Sequence, residues 1–394
     1  MFARRKPGFP SGFAEQGVAH EPACHALRPC ATDADPGKRK LNIPIDYAAS
    51  SYLAQTSQAA FKNHELPASL RTSSKTKRMN LFQAINDALA TILETDEKAC
   101  IFGEDVAFGG VFRCTMGLTE RFGSERVFNT PLTEQGIIGF AIGMSAQGHT
   151  ALPEIQFADY LFPSFDQLHN EASKMRYRTA SAKAFNSGHF VVRMPTGAVG
   201  HGALYHSQSP EGFFAGTQGL RVIIPRGPIQ AKGLLIAAAR GPDPVVFMEP
   251  KLLYRAAVEE VPVGEYELPI DTAEVLQRGK HITLVSWGAM VYVCEVAARA
   301  AKERLGVDVE VIDLRAIRPW DKATVKDSVD KTGRCVVVHE ASRTGGIGEG
   351  IAAEIQERSF LKLEAPVQRV TGWDVHVPLI FENFMIPDVA SKFP

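Results

Sequence analysis

A carboxylate at a helix start, followed by a smooth helix face, is the feature of this sequence that most clearly indicates chemistry. Glu134 begins the segment 134–148, in which Gly139 and Gly143 lie four residues apart and so share one helix face. The helix dipole favours a carboxylate at this position, so capping alone could explain Glu134. Each interior glycine costs up to about 1 kcal/mol relative to alanine, which close approach of another backbone would compensate. The pattern predicts a subunit or domain interface with a carboxylate at its edge.

A loop of small residues, 197–216, carries the second group of reactive side chains: His201, His206, Ser207 and Ser209. It offers no further ligands at the spacing of a zinc site, and the G-x-S-x-G elbow of a Ser–His hydrolase is absent. The functional interpretation that remains is a mobile loop that presents one imidazole to a substrate. The alternative is a surface loop with incidental histidines.

A glycine-rich turn, GGIGEG (345–350), follows a predicted strand and opens a predicted helix, where backbone N–H groups could hold a phosphate. Its glycines at 346, 348 and 350 alternate, which does not match G-x-G-x-x-G, and no P-loop lysine follows. A tight strand-to-helix connection is therefore favoured, and a nucleotide-binding dehydrogenase is a weak alternative.

The elements that must position these residues alternate between β-rich runs and helical patterns. This alternation predicts an α/β protein of two domains with mainly parallel sheets. We place the boundaries at 1–78 for a flexible N-terminal segment, 79–262 for the first domain and 270–394 for the second. The predicted strands lie at 99–103, 151–157, 189–195, 220–225, 244–250, 280–288, 307–315, 334–340 and 367–372, and the predicted helices at 80–97, 136–147, 164–178, 229–240, 290–306 and 347–359.

The composition of the 394 residues is that of an ordinary globular protein, with 45% hydrophobic and 22% charged residues. A net charge of −1 gives no reason to expect a nucleic acid or an anionic membrane as a partner. The longest charge-free stretch, 135–153, has an apolar part far shorter than the roughly 20 residues of a membrane span. The 6 cysteines form no C-x-x-C pair, which favours a reducing compartment.

The N-terminal segment differs from the rest in charge. Residues 1–79 contain 12 Lys or Arg against 6 Asp or Glu, and the basic cluster Arg4-Arg5-Lys6 stands near the start. No continuous apolar core of a secretory signal is present. The segment therefore predicts a mitochondrial leader, and an ordinary disordered tail is the alternative.

From about Met79 almost to its end, the chain resembles the β-subunit family of the thiamine-diphosphate-dependent branched-chain 2-oxo acid dehydrogenases. The resemblance implies a pyrimidine-binding α/β domain followed by a transketolase C-terminal-like domain. Its nearest alternatives are the pyruvate dehydrogenase β subunits and a non-catalytic β-like assembly factor. The matching strings are FGEDVAFGGVFRCTMGL (102–118), FNTPLTEQGI (128–137), EIQFADYLFPSFDQ (154–167), YHSQSPEGFF (205–214), PKLLYRAAVEEVPVG (250–264) and VIDLRAIRPWD (311–321).

The resemblance also implies roles for single residues. Glu134 matches the acid that hydrogen-bonds N1′ of the cofactor's aminopyrimidine and relays the proton that activates the thiazolium C2 position. Leu132, Gln156 and Tyr160 stand where the family lines the pyrimidine pocket. His206 matches the loop histidine that faces the reacting substrate carbon and the incoming lipoyl group.

An absent motif implies a partner. The family of enzymes holds the diphosphate and Mg²⁺ through a Gly-Asp-Gly segment, and this chain contains none. The resemblance therefore implies an alpha subunit that supplies this half of the site, in an α₂β₂ heterotetramer. It also implies branched-chain 2-oxo acids as substrates, a lipoyl acyltransferase core as a further partner and the mitochondrial matrix as the location.

The family further carries a structural potassium site built mainly from backbone carbonyls. In this sequence Gly241 replaces an acidic residue and Val191 replaces one with a hydroxyl group, so fewer side-chain oxygens are available. By position the site would involve Gly188, Phe190, Val191, Ala238, Gly241 and Asp243.

Overall fold

Helices and strands alternate along the computed structural model, which describes residues 45–71, 75–179 and 188–389. The described helices are α1 Ser57–Ala60, α2 Ala68–Arg71, α3 Leu81–Thr95, α4 Leu118–Phe122, α5 Glu134–Ala146, α6 Ser173–Thr179, α7 Pro228–Arg240, α8 Leu253–Ala256, α9 Met290–Leu305, α10 Lys322–Thr332, α11 Ile347–Arg358 and α12 Glu382–Met385. The described strands are β1 Thr76–Asn80, β2 Ala99–Gly103, β3 Val127–Asn129, β4 Thr150–Glu154, β5 His189–Thr196, β6 Arg221–Ile223, β7 Val245–Pro250, β8 Val258–Pro262, β9 Glu274–Gln277, β10 Ile282–Ser286, β11 Val309–Asp313, β12 Ala316–Arg318, β13 Cys335–Ser342 and β14 Gln368–Gly372.

A seven-stranded sheet lies at the centre of the first half of the chain. Its order is β12-β6-β7-β5-β4-β2-β3, and its pairs are parallel except for β12, which runs antiparallel to β6. Every residue of β2, β4 and β7 is buried. Helices cover a parallel sheet on both faces, which explains why these strands read as continuous apolar runs.

Helices α3 and α7 pack together beside this sheet. A capping box fixes the start of α3, since Asn80 accepts from the Gln83 N–H and the Gln83 side chain accepts from the Asn80 N–H, both at 3.0 Å. Apolar residues at helical spacing, among them Ile85 and Leu89, are fully buried. The first helix predicted from periodicity is therefore present almost at its predicted limits.

A five-stranded sheet organises the second half, with the order β14-β13-β10-β11-β9. Its pairs are parallel except for β9, which is antiparallel to β11. A separate two-stranded antiparallel sheet joins β1 to β8. These sheets agree with the predicted α/β class and its mainly parallel strands.

Strand β12 belongs to the predicted second domain by sequence, yet it completes the edge of the seven-stranded sheet. The Ile224 N–H also donates to the Arg315 carbonyl at 2.8 Å, just before β12 begins. The division into 79–262 and 270–394 therefore describes the chain order better than it describes the sheets.

Part of the segment expected to be flexible is folded. Within 45–71, Leu53 and Leu66 are buried in the core, and Glu65 binds the guanidinium of the fully buried Arg315 at 2.6 and 2.9 Å. The prediction of flexibility up to residue 78 is wrong for this stretch, because a few apolar side chains and one ion pair anchor it. Residues 1–44, the first part of the predicted leader segment, lie outside the described residues.

Within the described ranges, no helix combines the length and the apolar character that crossing a membrane would require.

Candidate active site

The predicted site residues, together with two further acids, follow the carboxyl ends of neighbouring parallel strands. Glu104 and Asp105 come after β2, Glu134 after β3, Gln156 and Tyr160 after β4, and His206 after β5. Parallel strands direct their carboxyl ends to the same edge of a sheet, which is where ligands bind in α/β folds. The topology therefore brings together residues that stand far apart in the sequence.

Glu134 is the first residue of α5. Thr133 caps the helix, because its hydroxyl accepts from the Gly136 N–H at 3.3 Å. The carboxylate of Glu134 thus lies at the positive end of the helix dipole, partly exposed to solvent. This placement is what the sequence predicted.

The neighbour of Glu134 is a second carboxyl group, which the sequence analysis did not select. Glu104 is buried and forms a side-chain hydrogen bond with Glu134. Burial, this hydrogen bond and the nearby carboxylates together raise the pKa of Glu104 to about 7. Near neutral pH Glu104 is therefore partly protonated, and in this form it can donate a hydrogen bond to the Glu134 side chain.

Gln156 is oriented by a third acid of the same edge. Its side-chain N–H donates to Asp105 Oδ2 at 2.5 Å. This hydrogen bond fixes the amide and directs its oxygen away from Asp105. Gln156 therefore has a defined orientation at this edge of the sheet.

Tyr160 lies between the acid pair and His206. Its hydroxyl is 3.4 Å from His206 Nε2. Burial raises the pKa of Tyr160, and the carboxylates of Asp159, Glu104 and Glu134 add to the effect. The Tyr160 hydroxyl therefore stays protonated and can donate to the imidazole.

His206 is exposed on its loop and contacts Phe157 edge-to-face, with ring centroids 4.6 Å apart and planes at 89°. The other histidine of the loop points to different neighbours, since His201 Nδ1 is 2.5 Å from Glu382 Oε1. Of the two histidines, His206 is thus the one placed at the site.

Leu132 and the glycine face of α5 lie open to solvent. Leu132 is 84% exposed and Phe140 is 50% exposed. A Cβ atom added to Gly139 or Gly143 would meet no described atom within 4 Å. Within the described part of the chain nothing covers this face, so a domain interface does not account for its glycines.

The residues predicted for potassium lie at two neighbouring chain segments. His189 Nδ1 contacts the Gly241 carbonyl at 2.9 Å, and this contact joins the start of β5 to the end of α7. Asp243 binds Arg176 at 2.8 Å and Arg221 at 2.7 Å, one through each carboxylate oxygen. The described residues contain no cluster of three or more His, Cys, Asp or Glu side chains that could hold a metal ion.

The glycine-rich turn at 345–350 packs closely on a buried side chain. A Cβ on Gly346 would be 2.7 Å from His339 Cε1, and one on Gly348 would be 2.5 Å from His339 Nε2. The alternating glycines therefore let α11 approach β13, which supports a tight connection as their explanation.

Comparison with known proteins identifies both halves of the chain. The transketolase pyrimidine-binding domain family matches residues 77–257, and the transketolase C-terminal domain family matches residues 271–391. A split-gene transketolase, solved as an inactive beta4 tetramer, superposes with a TM-score of 0.59 at 21% identity and covers 75% of this chain and 89% of its own. Together these matches define a two-domain, transketolase-type fold, as the sequence predicted.

Curated relatives indicate which group of transketolase-type proteins the chain resembles. The mitochondrial 2-oxoisovalerate dehydrogenase subunit beta of Chaetomium thermophilum is 62% identical over 359 residues, covering 91% of this chain and 76% of the relative. Its counterpart in Dictyostelium discoideum is 57% identical over 324 residues, covering 82% and 87%. A pyruvate dehydrogenase E1 component subunit beta from Staphylococcus aureus is 44% identical over 320 residues, covering 80% and 97%.

The chain belongs to the family of 2-oxoisovalerate dehydrogenase beta subunits. The predicted family, the oxidoreductase class and the mitochondrial location are thereby confirmed, and thiamine diphosphate is the cofactor type of its pyrimidine-binding domain. The higher identity to these relatives than to the pyruvate dehydrogenase subunit favours the branched-chain interpretation.

Proposed function

We propose that this chain supplies the cofactor-activating half of a shared site in a branched-chain 2-oxo acid dehydrogenase. The observation that carries the proposal is the hydrogen-bonded pair of Glu104 and Glu134 at a solvent-open edge of the sheet. A buried acid that is partly protonated near neutral pH, beside a second and more exposed acid, is suited to acid–base work.

The residues present fit the aminopyrimidine of thiamine diphosphate. Glu134 would hold the ring nitrogen N1′, and Gln156 and Leu132 would contact the same ring system. When bound, thiamine diphosphate supplies the electron sink that decarboxylation requires. The protein's part is to orient the ring and to hold a proton at the Glu134 carboxyl group.

Proton supply to Glu134 would come from Glu104. Because its pKa is raised to about 7, Glu104 can give or take a proton at neutral pH at little cost. Glu134 lies outermost of the two acids, so the proton would be exchanged between a buried group and the open edge of the site.

His206 would act on the other side of the site. Its imidazole is exposed, and the Tyr160 hydroxyl lies 3.4 Å from Nε2. A donor at Nε2 leaves Nδ1 to exchange a proton with the substrate or with the incoming lipoyl group. His206 therefore serves as the proton-handling residue for acyl transfer.

An alpha subunit would complete the site in an α₂β₂ heterotetramer. The chain has no Gly-Asp-Gly segment, so the alpha subunit would hold the diphosphate and Mg²⁺. The exposed Leu132 and the open glycine face of α5 support a partner at this edge. The complex would pass acyl groups from branched-chain 2-oxo acids to a lipoyl acyltransferase core in the mitochondrial matrix.

The potassium site stays a prediction, and two of its six residues have other partners in the observed arrangement. The Gly241 carbonyl accepts from His189, and both oxygens of Asp243 bind arginines. No step of the proposed reaction depends on potassium.

Reconstitution tests the proposal. We expect the pure chain to bind thiamine diphosphate weakly by calorimetry and to turn over no 2-oxo acid. With an alpha subunit, we expect tight binding and faster decarboxylation of 3-methyl-2-oxobutanoate than of pyruvate.

Three results would contradict the proposal in distinguishable ways. Preference for pyruvate would assign the chain to the pyruvate dehydrogenases. Absence of turnover with a competent alpha subunit would indicate a non-catalytic assembly factor. Tight cofactor binding by the single chain would refute the shared site.

A further inference from the structure

A buried ion pair lies directly behind the His206 loop. Asp159 and Lys251 are 6% and 3% exposed, and Lys251 Nζ is 4.0 Å from Asp159 Oδ2. Neither of these two atoms has a hydrogen-bond partner among the described residues. Buried polar atoms are normally paired, so this pair calls for an explanation.

The other oxygen of Asp159 holds the backbone that follows His206. Asp159 Oδ1 accepts from the N–H groups of Ser207 at 3.2 Å and Gln208 at 3.0 Å. The Gln208 carbonyl in turn accepts from the Gly197 N–H at 3.0 Å, at the opposite end of the loop. A single carboxylate therefore fixes the point where the His206 loop closes.

Two residues close to Asp159 in the sequence, one before it and one after it, contact the His206 side chain directly. Phe157 meets the imidazole edge-to-face, and the Tyr160 hydroxyl lies 3.4 Å from Nε2. Lys251 Nζ lies 5.4 Å from the centroid of the Phe157 ring, so the cation packs on the ring that contacts His206. Two consecutive contacts, through the Phe157 ring, thus link Lys251 to the imidazole.

Lys251 supplies a counter-charge next to the buried Asp159 side chain. A buried carboxylate without a counter-charge would take up a proton or leave the site. Burial lowers the pKa of Lys251 to about 8, while Asp159 and Glu340 act against this effect, so the ammonium remains the main form at neutral pH. Asp159 Oδ1 also accepts from two backbone N–H groups, and an acceptor beside a cation is suited to this role.

We propose that Asp159 and Lys251 are positioning residues that fix the His206 loop in its reactive conformation. This inference rests on the proposed function, because it assigns the pair a role in acyl transfer through His206. Neither side chain needs to touch the substrate or the cofactor.

The test uses the reconstituted complex and the variants Lys251→Met and Asp159→Asn. We expect each to lower kcat for acylation of a lipoyl domain on the order of 10²-fold, the effect of a misplacement of about 1 Å. The KM for the 2-oxo acid should stay nearly constant. If either single variant fails to fold, the double variant Asp159→Asn/Lys251→Met removes both buried charges together.

Lys232→Met is the matched control. Lys232 is also buried, pairs with Asp87 at 2.6 Å and lies 5.1 Å from the Tyr266 ring centroid, but it is on α7. We expect Lys232→Met to lower stability while kcat per folded molecule stays close to that of the wild type. Equal losses of kcat in Lys251→Met and Lys232→Met would overturn the proposal.

Combination with His206→Asn separates a positioning role from a structural one. If Asp159 acts through His206, the double variant His206→Asn/Asp159→Asn should be about as slow as His206→Asn alone. Multiplied losses would show that Asp159 acts independently, and the proposal would be wrong.

Hydrogen exchange gives a readout that does not depend on activity. We expect the Ser207 and Gln208 amides to exchange faster in Lys251→Met than in the wild type or in Lys232→Met. Unchanged exchange would overturn the positioning role even in an active complex. If the wild-type complex is inactive, the proposed function fails, and the exchange result still decides whether the pair fixes the loop.

Discussion

Glu104 and Glu134 differ in their surroundings, and this difference divides their roles. Glu134 stands at the open end of a helix, while Glu104 is buried beside it with a pKa raised to about 7. A buried acid with a raised pKa beside a more exposed acid is a common arrangement in acid–base catalysis. At the residue scale, the proposed chemistry therefore involves a pair of acids rather than Glu134 alone.

Replacement of Glu134 tests the acidic role against capping. Glu134→Gln keeps size and hydrogen bonding but removes the acidic proton, so cofactor activation should fall by about 10²- to 10⁴-fold. Stability should change by no more than about 1 kcal/mol. The measurement is hydrogen–deuterium exchange at C2 of thiamine diphosphate in the reconstituted complex.

The control for this prediction is Glu349→Gln, which removes a first-turn acid from α11, away from the site. Its exchange rate at C2 should equal that of the wild type. A wild-type rate in Glu134→Gln as well would reduce Glu134 to a helix cap.

The raised pKa of Glu104 predicts a dependence of stability on pH. Between the ordinary value of 4.5 and about 7, the folded chain holds a proton that the unfolded chain has released. The contribution of Glu104 to stability is therefore present at low pH and is lost as pH rises through about 7. Glu104→Gln cannot ionise and removes this loss.

Thermal unfolding of Glu104→Gln and the wild type at pH 5 and pH 8 checks this dependence. We expect the stability of the variant, measured relative to that of the wild type, to be higher at pH 8 than at pH 5. Other titrating groups are common to both proteins and cancel in the comparison. An equal difference at both pH values would contradict a raised pKa for Glu104.

The sequence allowed prediction of the site residues that lie in matching strings, such as Glu134 and His206. Glu104 stood within a quoted string, FGED, but nothing in its spacing indicated a contact with a residue thirty positions later. Asp159 and Lys251 were likewise not selected. Their contacts arise because parallel strands bring distant loops to one edge, and a single sequence does not record that proximity.

At the scale of elements, most of the strands that could be predicted from the sequence are buried along most of their length. The central strands β2, β4 and β7 are buried throughout and appear as apolar runs. The edge strands β9 and β12 are short and were not predicted, because their pairing depends on partners far along the chain. Helix α10 was also missed, since only four of its residues are buried: Val325, Ser328, Val329 and Thr332.

The folded segment 45–71 yields a prediction at this scale. Glu65 neutralises Arg315, whose side chain is fully buried. Glu65→Gln should lower the free energy of unfolding by roughly 2–3 kcal/mol, between the cost of a charged hydrogen bond and that of a broken buried pair. Urea unfolding of the full chain measures the change.

A matched control is Glu94→Gln, which breaks an exposed pair with Arg121. Its effect should stay below about 1 kcal/mol, because solvent screens exposed charges. Equal effects in the two variants would show that residues 45–71 do not stabilise the fold through Glu65.

At the scale of the whole molecule, the described chain leaves its candidate active site open along α5. The same helix carries Glu134 at its start and presents Gly139 and Gly143 to solvent. The proposed alpha subunit would cover this face and complete the site in one step. Assembly and catalysis would then depend on the same helix.

The last prediction tests whether subunit assembly depends on α5, separately from catalysis. A Cβ atom added at Gly139 would meet no described atom of another element within 4 Å, and Gly139 is exposed, so we expect Gly139→Leu to fold normally and to gain up to about 1 kcal/mol in helix stability. If the alpha subunit packs on this face, the added side chain should weaken association by about 1–3 kcal/mol, roughly 5- to 150-fold in Kd. Calorimetric titration with the alpha subunit should show weaker binding for Gly139→Leu.

The control for this prediction is Gly350→Leu, because Gly350 is equally open on α11. This variant should bind the alpha subunit as tightly as the wild type. Wild-type affinity in Gly139→Leu would mean that the glycine face of α5 is not the subunit interface, and that Glu134 is completed from another direction.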